Sequence, residues 1–273
     1  MTNIISQTVP YQVDTGFSPF KASEFDSALD FLACEGFSGV EIAVAYPREV
    51  DPEELLRKLE SANLAATTLS TGQICGLKGL FLSSDDEDVR AAAIDIVKGH
   101  VDLSVRIGRP RVTIGLIRGM MKEGDKRLLL ENLRQALLPC FDYAAGKSVT
   151  LQIEPVNHKE TLLINSVDEA LDFIRVLGNP ENAGILYDCY HSNIEDGDMV
   201  KAILKAGARI TNIHLADSHR GLPGYGEIDF SAVRAATKDI GYTGAFALET
   251  LPIPDAGFIN RNCFAAITGV VGS

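Results

Sequence analysis

The chain has 273 residues, a formal net charge of −12, and hydrophobic and charged shares of 46% and 23%. This composition is typical of an ordinary globular protein, and the sequence has neither a run of about 18 apolar residues nor a cluster of basic residues. Membrane spans and nucleic-acid binding are therefore not expected. The first ten residues lack the basic start and long apolar core of a signal peptide, which predicts a cytoplasmic location. Five cysteines without a C-x-x-C pair argue against a disulfide framework.

Apolar strands and amphipathic helices alternate eight times along the chain. The pattern predicts strands at residues 4–9, 39–44, 64–69, 111–114, 149–153, 185–187, 210–213 and 245–248. Helices are predicted to begin near Ser23 and at Asp51 and, further along, to cover residues 85–106, 126–145, 167–177, 199–206, 230–240 and 256–270. Regular alternation of this kind indicates parallel strands joined by right-handed crossovers.

The residues at the strand ends favour a closed barrel over an open sheet. No G-x-G-x-x-G follows the first strand, as would be expected in a dinucleotide-binding sheet. Four successive strands instead end in residue types that bind metals, about one βα unit apart: Glu154, Asp188, His214 and Glu249. In an open sheet these ends would spread over about 14 Å, whereas a barrel turns them toward one axis. We therefore predict an α/β fold, a single (β/α)8 TIM barrel domain over residues 1–273.

Three carboxylates and one imidazole make a mixed set of oxygen and nitrogen donors. Such a set suits Mn²⁺, Mg²⁺ or Co²⁺ better than a metal that prefers thiolates, and Mn²⁺ is the expected ion. A lone histidine at a strand end is more often structural. Burying three carboxylates at one barrel mouth without a cation, however, would be strongly unfavourable. Together the four residues predict one divalent metal ion per chain.

Sequence motifs at the same strand ends resemble a known family. They are G-F-S-G-V-E-I at 36–42, L-Q-I-E-P-V-N at 151–157, L-Y-D-C-Y-H at 186–191, A-L-E-T at 247–250 and the segment from His214 to Phe230. Their order, along nearly the whole chain, resembles the xylose isomerase-like sugar epimerases and isomerases, in particular the D-tagatose 3-epimerase-like members. The resemblance implies a metal-dependent epimerase or isomerase that acts on a ketose, a sugar phosphate or a keto acid.

The resemblance also implies roles for residues of this chain. The four strand-end residues would hold the metal, and Glu154 and Glu249 would also exchange a proton with the substrate through an enediolate. Residues matching Glu160, His191 and Arg220 bind sugar oxygens in that family. His191 is expected in the same loop as the metal-binding aspartate, and the fork of donors on Arg220 suits a substrate oxygen. Strands five and eight are expected on opposite sides of the barrel mouth, with the substrate between the two glutamates.

Each substrate-binding residue also has a purely structural alternative. Arg220 could pair with a carboxylate of its own loop, either Asp217 or Glu227. His191 could cap the helix that follows it. Glu160 could be a solvated loop residue. The sequence leaves these alternatives open.

Three further charged residues have no firm assignment. Glu41, at the end of the second strand, could sit at the barrel mouth or pair with a buried cation, and it is given no catalytic role. The loops at 72–81 and 115–124 are expected to cover the pocket, and Arg118 and Lys122 in the second of them could hold a substrate phosphate. Solvated loop charges are the preferred interpretation for both.

An abasic-site endonuclease is the main alternative function, because that family shares the barrel and Asp217-Ser218-His219 imitates its D-x-H metal pair. Those enzymes have further histidines after strands three and four, where this chain has Thr68-Leu69-Ser70-Thr71 and Thr113-Ile114-Gly115-Leu116. The acidic net charge also opposes DNA binding. A sugar-binding barrel without catalysis is a third hypothesis, which the intact glutamate pair argues against. A homo-oligomer is compatible with the sequence.

Overall fold

A computed structural model describes residues 3–272 and shows eight parallel strands in one closed barrel. The strands are β1 (Ile5–Pro10), β2 (Gly39–Ala43), β3 (Ala65–Ser70), β4 (Arg111–Ile114), β5 (Leu151–Ile153), β6 (Ala183–Asp188), β7 (Ile210–Leu215) and β8 (Ala245–Leu248). Each strand pairs with its neighbours in sequence, and β8 closes the ring against β1. The predicted (β/α)8 barrel is confirmed, and every predicted strand overlaps an observed one.

Ten α-helices lie within residues 3–272. They are α1 (Phe25–Glu35), α2 (Pro52–Ser61), α3 (Gln73–Lys78), α4 (Glu87–Arg106), α5 (Lys126–Ala145), α6 (Val167–Val176), α7 (Cys189–Glu195), α8 (Met199–Ala206), α9 (Phe230–Asp239) and α10 (Ala256–Val271). Several begin after an aspartate whose side chain accepts free backbone N–H groups of the first turn, as Asp51, Asp86 and Asp125 do. In the part of the chain described, no helix is both long and apolar enough to cross a membrane.

The two short helices α3 and α7 are not predicted from the sequence. The six residues of α3 follow a glycine without a side-chain cap, so no start signal marks this helix. The helix α7 follows β6 without a connecting residue, because Asp188 both ends the strand and caps the helix. The expectation that His191 lies in a loop is therefore wrong, since this residue belongs to the first turn of α7.

The apolar core lies between the strands and the surrounding helices, while the inside of the barrel is polar. Val9, Ile42 and Leu69 are fully buried in one apolar cluster with helix residues. The side-chain amide of Asn212 in β7 donates to Thr68 Oγ1 in β3 at 3.0 Å, and this bond crosses the interior because the two strands are not neighbours. Barrels of this class usually fill the interior with branched aliphatic residues. Here hydrogen-bonded polar side chains lie directly beneath the candidate site.

Candidate metal centre and active site

Four consecutive strands bring four side chains that could bind a metal to one point at the carboxyl end of the barrel. Asp188 ends β6 and His214 lies in β7, while Glu154 and Glu249 directly follow β5 and β8. One donor atom of each residue lies within 4.8 Å of the donor atoms of the other three. The strands β5 and β8 are three places apart in the ring of eight. The two glutamates are therefore not diametrically opposite, in contrast to the expectation from sequence.

The orientation of Asp188 and His214 leaves two donor atoms free at the centre of this cluster. The carboxylate of Asp188 accepts the backbone N–H of His191 through Oδ1 at 2.9 Å, and Oδ2 has no hydrogen-bond partner among the described residues. His214 contacts Glu41 through Nε2 at 2.9 Å, and its Nδ1 is likewise without a partner. This Nδ1 lies 3.5 Å from oxygens of both Asp188 and Glu249. Buried polar atoms without partners are costly, and a cation bound between them would satisfy both.

The donor set fits a divalent ion that prefers oxygen and nitrogen ligands. Three carboxylates and one neutral imidazole are suitable donors for Mn²⁺, Mg²⁺ or Co²⁺. Among the described residues the cluster contains no cysteine, so a metal that prefers thiolates is not favoured. The backbone at Gly115 packs closely against the cluster, since an added Cβ would lie 2.5 Å from Glu154 Oε2.

The two glutamates of the cluster have opposite shifts in pKa. Burial, together with the negative charge of Glu249, raises the pKa of Glu154 to about 8. Burial would also raise the pKa of Glu249, but the nearby His214 and Arg220 outweigh it and lower this pKa below its ordinary value. Without a metal, one glutamate is therefore protonated at neutral pH and the other is ionised. Pairs of carboxyl groups with divergent pKa values are suited to acid and base roles.

A cavity of about 200 Å³ adjoins the cluster, and the three predicted substrate-binding residues line it together with both glutamates. Arg220 donates to Glu160 at 2.9 Å and to Glu249 at 3.0 Å. Its guanidinium carbon lies 4.2 Å from the ring centroid of Phe17 and 5.0 Å from that of Tyr190. The alternatives that Arg220 pairs within its own loop and that Glu160 is merely solvated are thus not what the structure shows.

The ring of His191 is held in one neutral form. Its Nδ1 accepts the backbone N–H of Asn157 at 3.3 Å and lies 2.7 Å from the side-chain amide of the same residue. The remaining nitrogen, Nε2, must then carry the proton, and it lies 3.9 Å from Glu154 Oε1. Burial lowers the pKa of His191, which keeps the ring neutral. The side chain therefore presents an N–H donor beside the glutamate instead of capping a helix.

The loop that carries Arg220 is organised by Asp217. Four backbone N–H groups donate to its carboxylate at 2.7 to 3.1 Å, those of Ser218, Gly224, Gly226 and Ile228. These bonds hold Arg220 at a φ of 62°, a value uncommon for residues other than glycine. His219 of the same loop is exposed. Asp217 is therefore used for loop structure, and neither residue of the D-x-H pair considered for an endonuclease joins the candidate metal cluster.

Comparisons with known proteins place this barrel in a family. Residues 29–258 match the family model of the xylose isomerase-like TIM barrel. The chain belongs to that family. An L-ribulose 3-epimerase from Methylomonas sp. (strain DH-1) is 31% identical over 240 residues, covering 86% of this chain and 82% of the relative. A ketose 3-epimerase from Arthrobacter globiformis is 31% identical over 219 residues, covering 79% of this chain and 73% of the relative.

A solved structure also matches this chain over most of its length. It is a D-allulose 3-epimerase from Methylomonas sp. in complex with D-allulose, with 27% identity and a TM-score of 0.80, covering 97% of this chain and 90% of that one. The resemblance to xylose isomerase-like and D-tagatose 3-epimerase-like proteins is confirmed. The chain described here is an isomerase-class enzyme, as expected from its sequence.

Several residues around the site were missed or misjudged from sequence. The interpretation of Arg118 as a solvated loop charge is wrong, because the residue is fully buried, and burial lowers its pKa to about 10. It does not line the cavity, whereas Lys122 is exposed. The contacts of Phe17 and Tyr190 with Arg220 were not predicted. Tyr190 lies within the L-Y-D-C-Y-H motif and could have been noticed there, but no pattern in the loop after β1 marks Phe17.

Proposed function

We propose that the protein is a divalent-metal-dependent 3-epimerase of unphosphorylated ketoses, with Glu154 and Glu249 as its acid and base. The observation that carries this proposal is a pair of glutamates that share one metal-compatible cluster and both line the adjoining cavity. The 3-epimerase relatives support the reaction class. Inversion beside the carbonyl requires one group to remove a proton and a second group to return one to the opposite face.

The ion would be held by Glu154, Asp188, His214 and Glu249, with Mn²⁺ expected first and Mg²⁺ or Co²⁺ as alternatives. When bound, such an ion polarises the substrate carbonyl and makes the adjacent C–H more acidic. We expect loss of the ion to abolish proton exchange.

The cavity residues would complete the reaction around the substrate. One glutamate takes the proton from the carbon next to the carbonyl, and the other delivers a proton to the enediolate. Arg220 is already oriented toward Glu249 and would stabilise negative charge on the enediolate oxygens. The Nε2–H of His191 would donate to the carbonyl end of the substrate. Glu160 would keep the guanidinium of Arg220 in place through their 2.9 Å bond.

The charge of the cavity favours a free sugar over a sugar phosphate. Of the described residues that line it, only Arg220 carries a permanent positive charge, and two glutamates already neutralise it. Arg118 cannot serve as a second phosphate ligand, because it is enclosed and does not reach the lining. A phosphate dianion would therefore face uncompensated carboxylates, whereas hydroxyl groups can donate to them.

Turnover in D₂O tests the proposal. The protein would be incubated with Mn²⁺ and with matched free and phosphorylated ketoses, and the products would be analysed by NMR. We expect the free ketose to gain solvent deuterium at the epimerised carbon, with no exchange after treatment with a chelator. Product without deuterium would contradict proton transfer by the glutamates, and turnover of the phosphorylated ketose alone would contradict the assigned substrate class.

A further inference from the structure

Glu41 contacts His214 inside the barrel and is not one of the four metal donors. We infer that Glu41 is a positioning residue, which accepts the Nε2–H of His214 and thereby directs Nδ1 to the metal. The inference rests on the metal site of the proposed function. It concerns a residue of β2, whereas all four donors come from β5 to β8.

The carboxylate of Glu41 is fixed from several sides. It is fully buried, and Oε2 lies 2.9 Å from His214 Nε2 and 3.4 Å from the side-chain amide of Asn212. The other oxygen, Oε1, accepts from Ser70 Oγ at 2.6 Å and from Thr8 Oγ1 at 3.4 Å. These partners belong to β1, β3 and β7, so residues on both sides of the barrel hold the carboxylate in one orientation.

This contact determines which nitrogen of His214 can bind a cation. An ionised carboxylate can only accept hydrogen bonds, so the nitrogen that faces Glu41 must carry the proton. A cation can then bind the ring only through Nδ1, the atom without a partner that lies 3.5 Å from Asp188 and Glu249. In metal sites, ligating histidines usually donate their second N–H to a carboxylate or carbonyl group, which sets the tautomer and strengthens the ligand.

A purely structural role for Glu41 makes a different prediction. The carboxylate would then serve only to satisfy the buried hydroxyl groups of Ser70 and Thr8, and its loss would lower thermal stability without changing metal affinity. Glu41→Gln separates the two roles, because it keeps the size and one acceptor oxygen but removes the charge. Thr68→Val is a matched control in the same polar interior. Thr68 bonds to Asn212, and the described residues show no hydrogen bond from it to Glu41 or His214.

The first experiment measures Mn²⁺ affinity by electron paramagnetic resonance of the free ion, together with the melting temperature of the metal-free protein. We expect Glu41→Gln to weaken affinity by about 10- to 100-fold and Glu41→Ala to weaken it further, while Thr68→Val stays within about twofold of wild type. A lower melting temperature for Glu41→Gln with unchanged Mn²⁺ affinity would establish the structural role and overturn the inference.

The second experiment observes the ring directly by NMR of protein labelled with ¹⁵N-histidine, with and without Mg²⁺. Five histidines give few signals, and His214→Asn identifies the relevant one. We expect a protected Nε2–H on His214 in both states, lost in Glu41→Ala. An unprotonated Nε2 in the wild-type protein would refute the inference. Wild-type protein that binds neither Mn²⁺ nor Mg²⁺ would refute the metal site instead, and the metal-free spectrum would still decide the contact with Glu41.

Discussion

Metal affinity should depend steeply on pH, because protons compete with the ion for its ligands. Burial and the charge of Glu249 raise the pKa of Glu154 to about 8. In metal-free protein this carboxyl group is therefore ionised in about 1% of molecules at pH 6 and in about half at pH 8, so its contribution alone strengthens binding by about 50-fold over that range. Burial would lower the pKa of His214, but the charges of Glu41 and Glu249 raise it well above its ordinary value. The ion must therefore displace a second proton, from the imidazole ring of His214.

Isothermal titration with Mn²⁺ in buffers of different ionisation enthalpy would measure both the affinity and the number of protons released. We expect between one and two protons released per ion near neutral pH, and fewer as the pH approaches 9. Glu154→Gln should bind more weakly at every pH and release about one proton fewer. An affinity constant that changes by less than about twofold between pH 6 and pH 8, with no proton release, would refute the assigned protonation of the site.

Three further predictions concern individual side chains. Glu154→Gln and Glu249→Gln should each lower the turnover number at saturating Mn²⁺ by at least about 100-fold, and near-normal turnover in both would remove the two glutamates from the chemistry. Arg220→Lys should lower kcat/KM by about 100-fold, because lysine lacks the planar fork that donates to two glutamates and lies against two aromatic rings. The control His219→Ala, in the same loop, should leave kcat/KM unchanged. Equal losses in the two variants would contradict the role of Arg220. Burial lowers the pKa of His100 below its ordinary value of 6.5, so this histidine takes up a proton more readily in the unfolded chain. Its contribution to the free energy of unfolding should therefore be greatest above about pH 6.5 and should decrease as the pH falls toward the lowered pKa. Denaturant titrations of His100→Gln should show a smaller fall, and an unchanged one would exclude this histidine.

The barrel and the convergence of the four candidate donors could be predicted from sequence because both depend on local patterns. Alternating strands and helices identify the fold, and ligand-type residues at successive strand ends converge in any closed barrel. Boundaries shift by one or two residues in most strands, and the short helices α3 and α7 lack the usual start signals. Asp188 illustrates the second case, since one residue both ends a strand and caps a helix.

Contacts between distant parts of the chain could not be predicted in the same way. Glu41 and His214 are 173 residues apart in sequence, and their pairing follows from the diameter and register of the closed ring. The position of Phe17 against Arg220 depends on how two long loops meet above the barrel. Arg118 looks like any loop arginine in sequence, and only the packing of its short 3₁₀ turn shows that it is enclosed.

The two halves of the barrel contribute differently to the site. All four candidate donors come from β5 to β8, whereas most of the residues that line the cavity lie in or after β1 to β4, among them Phe17, Gln73, Leu116 and Met120. Substitutions in the first half can therefore reshape the space for the sugar without removing a metal donor. The first half is still not freely exchangeable, because it supplies Glu41 to the imidazole of the second. A chimera with a related barrel could thus acquire a new sugar preference while keeping its chemistry, provided that the incoming half brings a carboxylate to the same place.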